Sequence, residues 1–160
     1  MVTDTNLEDT LYLDVPAGRV VIEMRPDLAP AHVARIKELA REGFYDGIVF
    51  HRVIEEFMAQ TGDPRGDGTG GSGQHLDAEF SREKHLRGTC SMARAASPNS
   101  ADSQFFICFA PASFLDGQYT VWGQVVSGME HIDAIKKGEP PGKPDKIIKM
   151  QVAADAEKQG

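Results

Sequence analysis

The chain is expected to fold as a mainly β, antiparallel domain with two helices, on three observations. Short runs alternating apolar with polar residues recur along it, the signature of strands with one buried face. Sixteen glycines and nine prolines supply the turns between them. Only two segments carry the three-to-four-residue apolar spacing of a helix. A length of 160 residues makes one domain that buries about two thirds of its unfolded surface. Periodicity alone leaves a closed barrel, its open ends covered by the helices, and a sandwich both open.

Taken in order, residues 1–8 are expected as a flexible N-terminal tail of a single domain spanning 1–160. Leu11, Leu13 and Val15 alternate with Tyr12 and Asp14, Pro16-Ala17-Gly18-Arg19 turns the chain, and Val20, Ile22 and Met24 alternate again: a hairpin. Pro30 opens a helix at the one position where its missing N–H costs nothing. Val33, Ile36 and Ala40 give that helix its stripe, and Gly43 stops it. Ile48–Ile54 is β-branched and aromatic, the run of a strand buried on both faces. The glycine density of 62–73 predicts a long ordered loop. Phe105–Phe109 and Tyr119–Val126 follow as strands around a loop holding Phe114-Leu115-Asp116-Gly117. Ser127 and Glu130 form a capping-box pattern before the stripe Met129, Ile132 and Ile135 of a second helix ending at Gly138. Pro140, Pro141 and Pro144 enforce a loop, and Ile148, Met150 and Val152 alternate as a last strand.

A net charge of −7 and a pI near 5.2 argue against a nucleic-acid surface, which needs clustered Lys and Arg. No apolar run approaches the ~18 residues of a membrane span, and the polar start Met1–Asn6 is unlike a secretory signal, so a cytoplasmic protein is expected. Cys90 and Cys108, outside any Cys-x-x-Cys pair, fit free thiols. The five histidines lack metal-ligand spacing. Gly66–Gly71 satisfies GxGxxG by letter, but no helix begins after it to receive a pyrophosphate. Ser81–Lys84 has the S-x-x-K spacing in a charged stretch without partner motifs.

Two segments carry most of the information: Phe50-His51-Arg52-Val53-Ile54-Glu55-Glu56-Phe57-Met58-Ala59-Gln60-Thr61-Gly62-Asp63 and Ser103-Gln104-Phe105-Phe106-Ile107. Arginine and two glutamines among Phe57, Met58 and Phe106 describe an apolar pocket with a cationic arm at its edge. Taken singly, each has a plainer reading. Arg52 equally suits a surface salt bridge to Glu55 or Glu56, the apolar residues suit core packing, and the glutamines suit an ordinary surface. Together with the glycine-rich stretch and Phe114–Gly117, the segments resemble the cyclophilins, the peptidyl-prolyl cis-trans isomerases. Their signature FHRVIxxFMxQxGD is intact except at Thr61, where glycine is usual, and the resemblance covers residues 9–153.

The resemblance implies a closed eight-stranded antiparallel β-barrel capped by two α-helices, with its site on the outer face. It implies rotation about X-Pro bonds in peptides and folding proteins, without cofactor or metal. It assigns Arg52, Gln60 and Phe57 to catalysis. Met58, Ala93, Arg94, Ala95, Gln104, Phe106, Phe114, Leu115, Tyr119 and Gly68 are assigned to substrate binding. Arg52 is the donor that would stabilise a pyramidal prolyl nitrogen in the twisted amide, while His51, turned to the opposite face by strand alternation, reads as structural. Arg94 stands where Asn is frequent, a change that would shift preferences towards acidic groups. Phe114 and Tyr119 replace the Trp and His of many eukaryotic members, so bacterial type and weakened cyclosporin binding are expected. Partners are proline-containing peptides, with no nucleic acid and no membrane, and the chain is expected as a monomer. The competing readings are a proline-peptide binding module that does not turn over and a nucleotide-dependent enzyme built on the glycine loop.

Overall fold

The computed structural model describes residues 4–138 and 141–159. Strand β1 (Thr10–Val15) turns at Pro16-Ala17 into β2 (Gly18–Met24), pairing Leu11 with Ile22 and Leu13 with Val20 across the expected hairpin. Helix α1 (Pro30–Arg41) begins at the expected proline and buries His32, Val33, Ile36, Leu39 and Ala40. Then come β3 (Arg52–Ile54), β4 (Met58–Thr61), β5 (Thr89–Met92), β6 (Phe105–Cys108), β7 (Val121–Ser127), α2 (Met129–Asp133), β8 (Lys149–Val152) and α3 (Ala153–Gln159). The strands form one curled sheet, ordered β3-β4-β6-β5-β7-β2-β1-β8, with every ladder antiparallel.

The sheet does not close into the expected barrel. Its end strands β3 and β8 share no ladder; Val49 and Lys146 form an isolated bridge, with Phe50 N–H donating to Asp145 O at 2.9 Å and Ile147 N–H to Ile48 O at 2.8 Å. Gly47, at φ +83°, and Pro141 and Pro144 interrupt the two segments that would have zipped. The strand expected over Ile48–Ile54 is for the same reason only Arg52–Ile54, and Arg52 is exposed.

Other boundaries also move. The capping box of α2 does not form: the cap is Gly128, left-handed at φ 83°, with no side-chain bond. A Cβ there would lie 2.3 Å from Arg19 O, so backbone approach to the hairpin overrides local capping chemistry. The helix ends at Asp133 rather than near Gly138, which instead exchanges backbone hydrogen bonds with Val53. The two-helix expectation misses α3, built from the helix formers after Val152. Asp4–Asp9, within and just beyond the stretch read as a tail, is a 3-10 helix; Glu8 pairs with Arg41 at 2.7 Å and Asp9 with Lys37 at 2.8 Å. Pro140, part of the expected proline loop, lies outside the described residues.

The inner face of the sheet packs against α1 around Trp122, Phe105 and Tyr45, whose rings meet edge to face at 5.4 and 5.5 Å. Trp122 is fully buried in this core. The first residue pair of α1 lacks a local cap, since Ala29 offers no side chain. Glu79, distant in sequence, supplies it: its carboxylate accepts from Ala31 N–H at 3.2 Å, His32 N–H at 2.8 Å and the His32 ring at 2.6 Å.

Candidate active site

Strand alternation sorts the side chains of β3, β4, β6 and β5 into two sets. The register runs Val53↔Ala59↔Ile107↔Cys90 in one row and Arg52↔Gln60↔Phe106↔Ser91 in the next. The first row joins the main core. The second, with Met58 and Cys108 opposite one another, faces outward, where Met58, Phe106, Cys108, Ala112 and Leu115 form a separate apolar cluster. Cys90 and Cys108 therefore point to opposite faces and stay free thiols. Burial pushes the Cys108 thiol up to about 12, far from a reactive thiolate.

A cavity of ≈ 120 Å³ opens over this second cluster. Its walls include Phe57, Met58, Phe106 and Leu115, together with Arg52, Gln60, Ala93, Arg94 and Tyr119. Beside it lies a cavity of ≈ 550 Å³ that shares Gln60, Ala93 and Arg94 and adds Gly68, Ala95 and Gln104. Phe114 lines neither; it is exposed and its ring lies 5.4 Å from that of Phe57. Arg65, His75, Ser100 and Asp102 of the larger cavity escaped sequence reading, because isolated polar residues in a loop carry no periodic signal.

Hydrogen bonds set the orientation of each polar group in turn. Gln104 Nε2 donates to Gly68 O and Gly70 O at 3.0 and 2.9 Å, which turns its Oε1 towards Gln60 Nε2 at 2.9 Å. Gln60 Oε1 is then the acceptor for Arg52 Nη1 at 3.3 Å. The glycine loop at the origin of this chain is wound round Asp63, which accepts from the N–H groups of Arg65, Asp67 and Gly68 at 2.8, 3.1 and 2.6 Å. Burial alone would raise the Asp63 pKa, but these backbone donors outweigh it and hold the carboxyl below its usual value. A Cβ at Gly70 would sit 2.2 Å from Asp63 Oδ1, so the loop's glycines serve a carboxylate-centred turn. No helix follows them, and a dinucleotide fingerprint is excluded.

Arg94 is engaged with its own neighbourhood. Nε and Nη2 donate to Gln118 O, Nη1 to Ala95 O and Ala96 O, and the guanidinium lies 4.6 Å over the Tyr119 ring. His51 is buried behind the strand while Arg52 is exposed, and burial lowers the His51 pKa, which keeps it neutral.

This geometry can be set beside known proteins. The family model described as "Cyclophilin type peptidyl-prolyl cis-trans isomerase/CLD" matches residues 10–152. The chain belongs to the cyclophilin-type peptidyl-prolyl isomerases. It is 54% identical over 165 aligned residues to the Brucella suis "Probable peptidyl-prolyl cis-trans isomerase", covering 92% of this chain and 84% of the relative. The Synechococcus elongatus "Peptidyl-prolyl cis-trans isomerase" is 40% identical over 90% of this chain and 96% of its own length. Among solved structures, a cyclophilin from Hirschia baltica superposes with a TM-score of 0.86 at 28% identity, over 93% of this chain and 75% of that one. A Cryptosporidium parvum cyclophilin solved in the presence of the dipeptide Ala-Pro gives 0.83 at 28% identity, over 89% and 98%. This cyclophilin is thus a peptidyl-prolyl cis-trans isomerase with bacterial relatives. Among its described residues no helix is long and apolar enough to cross a membrane.

Proposed function

We propose that the ≈ 120 Å³ cavity holds the proline ring, that Phe57, Met58, Phe106 and Leu115 grip it, and that Arg52 stabilises the twisted amide. The observation that carries this reading is the Gly68/Gly70–Gln104–Gln60–Arg52 chain, which aims a cationic donor at the edge of an apolar pocket. Prolyl rotation faces a barrier of about 18–20 kcal/mol because the planar amide loses conjugation. No bond is made or broken, so no cofactor is required. The twisted nitrogen regains a lone pair that neither planar form offers, and a donor directed at it is selective for the transition state. A hydrogen bond from a charged group contributes about 1.5–3 kcal/mol, or about 10- to 150-fold in rate at 1.36 kcal/mol per decade. The peptide then runs along the Ala93–Ala95 edge, held by backbone groups as in strand addition, into the larger cavity.

Proline-containing peptides and folding proteins in the cytoplasm are the proposed substrates, the chain acting as a monomer; the neighbour solved with Ala-Pro supports the ligand class. Arg94, with its donors engaged by carbonyls, is read as a clamp rather than as a selector of acidic residues. Phe114 in place of Trp implies weak cyclosporin binding. Exchange NMR on a short X-Pro peptide at substoichiometric enzyme tests the mechanism. Arg52→Ala is expected to lose about 10- to 150-fold in kcat/KM. Equal acceleration by native chain and variant would refute the role of Arg52. Peptide binding without acceleration by the native chain would favour a recognition module using the same pocket.

A further inference from the structure

His85 is buried and lies outside the lining of both cavities next to the strands, yet it touches Phe106 of the smaller cavity's wall and two segments that support that wall. Its ring stacks on Phe106 at 6.1 Å and 18°. Its Nε2 lies 2.8 Å from Ser91 Oγ, and Ser91 is the cross-strand partner of Phe106. Its backbone N–H and Nδ1 both reach Asp116 Oδ1, at 2.7 and 3.0 Å, while its carbonyl accepts from Ala112 N–H at 2.9 Å. Ala112 and Asp116 bracket the turn Ser113–Leu115 that carries Leu115 into the pocket.

We propose that His85 is a positioning residue for isomerisation, a side chain that locks Phe106 to the Leu115 turn. This role rests on the proposed use of the pocket for the proline ring. The proton inventory supports a fixed ring. The His85 N–H holds the Asp116 carboxyl below its usual value, so Nδ1 carries the proton it shares with that carboxylate. Burial lowers the His85 pKa, leaving Nε2 as an acceptor for the Ser91 hydroxyl. Ser91 Oγ also lies 3.0 Å from Thr120 O, a second acceptor for the same proton; with either partner the hydroxyl oxygen stays against Nε2 at 2.8 Å. A ring anchored at both nitrogens cannot turn about its long axis, and the phenylalanine stacked on it is held to one plane. Phe106 is then braced by His85 and, edge to face at 5.8 Å, by Tyr119.

The test uses His85→Phe, which keeps an aromatic ring and loses both anchors, and Asp116→Ala, a surface truncation that removes one anchor and spares the core. Catalysis of an X-Pro peptide is followed by exchange NMR at a temperature where circular dichroism shows each protein folded. Phe106 ring-flip rates and the His85 nitrogen shifts are recorded on the same samples. The expected result is a native Nδ1–H tautomer, faster Phe106 flipping in both variants, and kcat lowered about tenfold in His85→Phe and about threefold in Asp116→Ala with KM within twofold. Native kcat and native ring-flip rates in the folded His85→Phe would overturn the proposal, and should that variant not fold, the same result in Asp116→Ala would do so. Unaccelerated exchange with the native chain would instead overturn the use of the pocket as an isomerase site, and with it this role.

Discussion

Replacing Asp63 by Asn tests whether the glycine loop positions the pocket's polar edge. The carboxylate accepts three backbone N–H groups, one on Oδ1 and two on Oδ2. An asparagine must point its amide nitrogen at one side, where it meets a donor instead of accepting from it. With the oxygen kept on Asp67 and Gly68, the bond to Arg65 N–H is lost and the other two become neutral. One charge-assisted bond contributes about 1.5–3 kcal/mol and each neutralised one falls by about 1 kcal/mol, so the loss is about 3.5–5 kcal/mol. For a chain of this size that lowers the thermal midpoint by about 7–20 °C. Backbone amides of residues 65–70 should exchange with solvent faster, since a loop held by one carboxylate opens locally before the core does. Because Gly68 O and Gly70 O orient Gln104, and through Gln60 the guanidinium of Arg52, kcat/KM should fall about ten- to a hundredfold. A midpoint within about 2 °C of native, with unchanged amide exchange, would refute the carboxylate as the loop's organiser. Lower stability with native kcat/KM would refute the coupling from loop to Arg52.

Glu79→Gln should cost about 1–2 kcal/mol by weakening the borrowed cap of α1, read by thermal melts. Burial favours the neutral Glu79, but the bonds from His32 and Ala31 prevail and depress its pKa below 4.5; a carboxyl depressed on folding stabilises above its unfolded value and ceases to as pH falls through the folded one. The gap between native chain and variant should therefore be full at pH 6 and shrink below 4.5, and a gap independent of pH would contradict the charge-based cap. Met58→Ala, at a side chain 1% exposed beneath the pocket, should lose about 2–5 kcal/mol of stability, measured by urea unfolding, together with peptide affinity. Phe114→Trp should strengthen cyclosporin binding about tenfold, equivalent to ~1.4 kcal/mol, by titration calorimetry; unchanged affinity would remove Phe114 from the drug-contacting surface.

Much of the site was legible because its residues stand in motifs that resemble the cyclophilins. Strand alternation adds only that neighbours such as His51 and Arg52 face opposite ways; the register that sets Arg52, Gln60 and Phe106 side by side comes from the structure. Thirteen residues were expected in the site. All line one of the two cavities except Phe114, whose ring lies tilted at 41° against that of Phe57. The supporting residues were not legible. Asp63, Glu79, His85 and Asp116 act on backbone or rings that, Asp63 apart, lie some twenty to fifty residues away, and nothing local marks a carboxylate as a cap for a remote helix.

The sequence by itself determined the family, the hairpin and the start of α1, because these depend on motifs in order along the chain, alternation within single strands and a proline at a helix start. Tertiary structure decided the rest. It left the sheet unzipped at the β3–β8 seam, since the chain there bends at glycine and prolines. It capped α2 with Gly128 instead of Ser127, since the hairpin backbone lies too close for a Cβ. It also engaged Arg94 with the carbonyls of Ala95, Ala96 and Gln118. Each outcome turns on which distant groups meet, and the energy of a buried donor or acceptor depends on that partner.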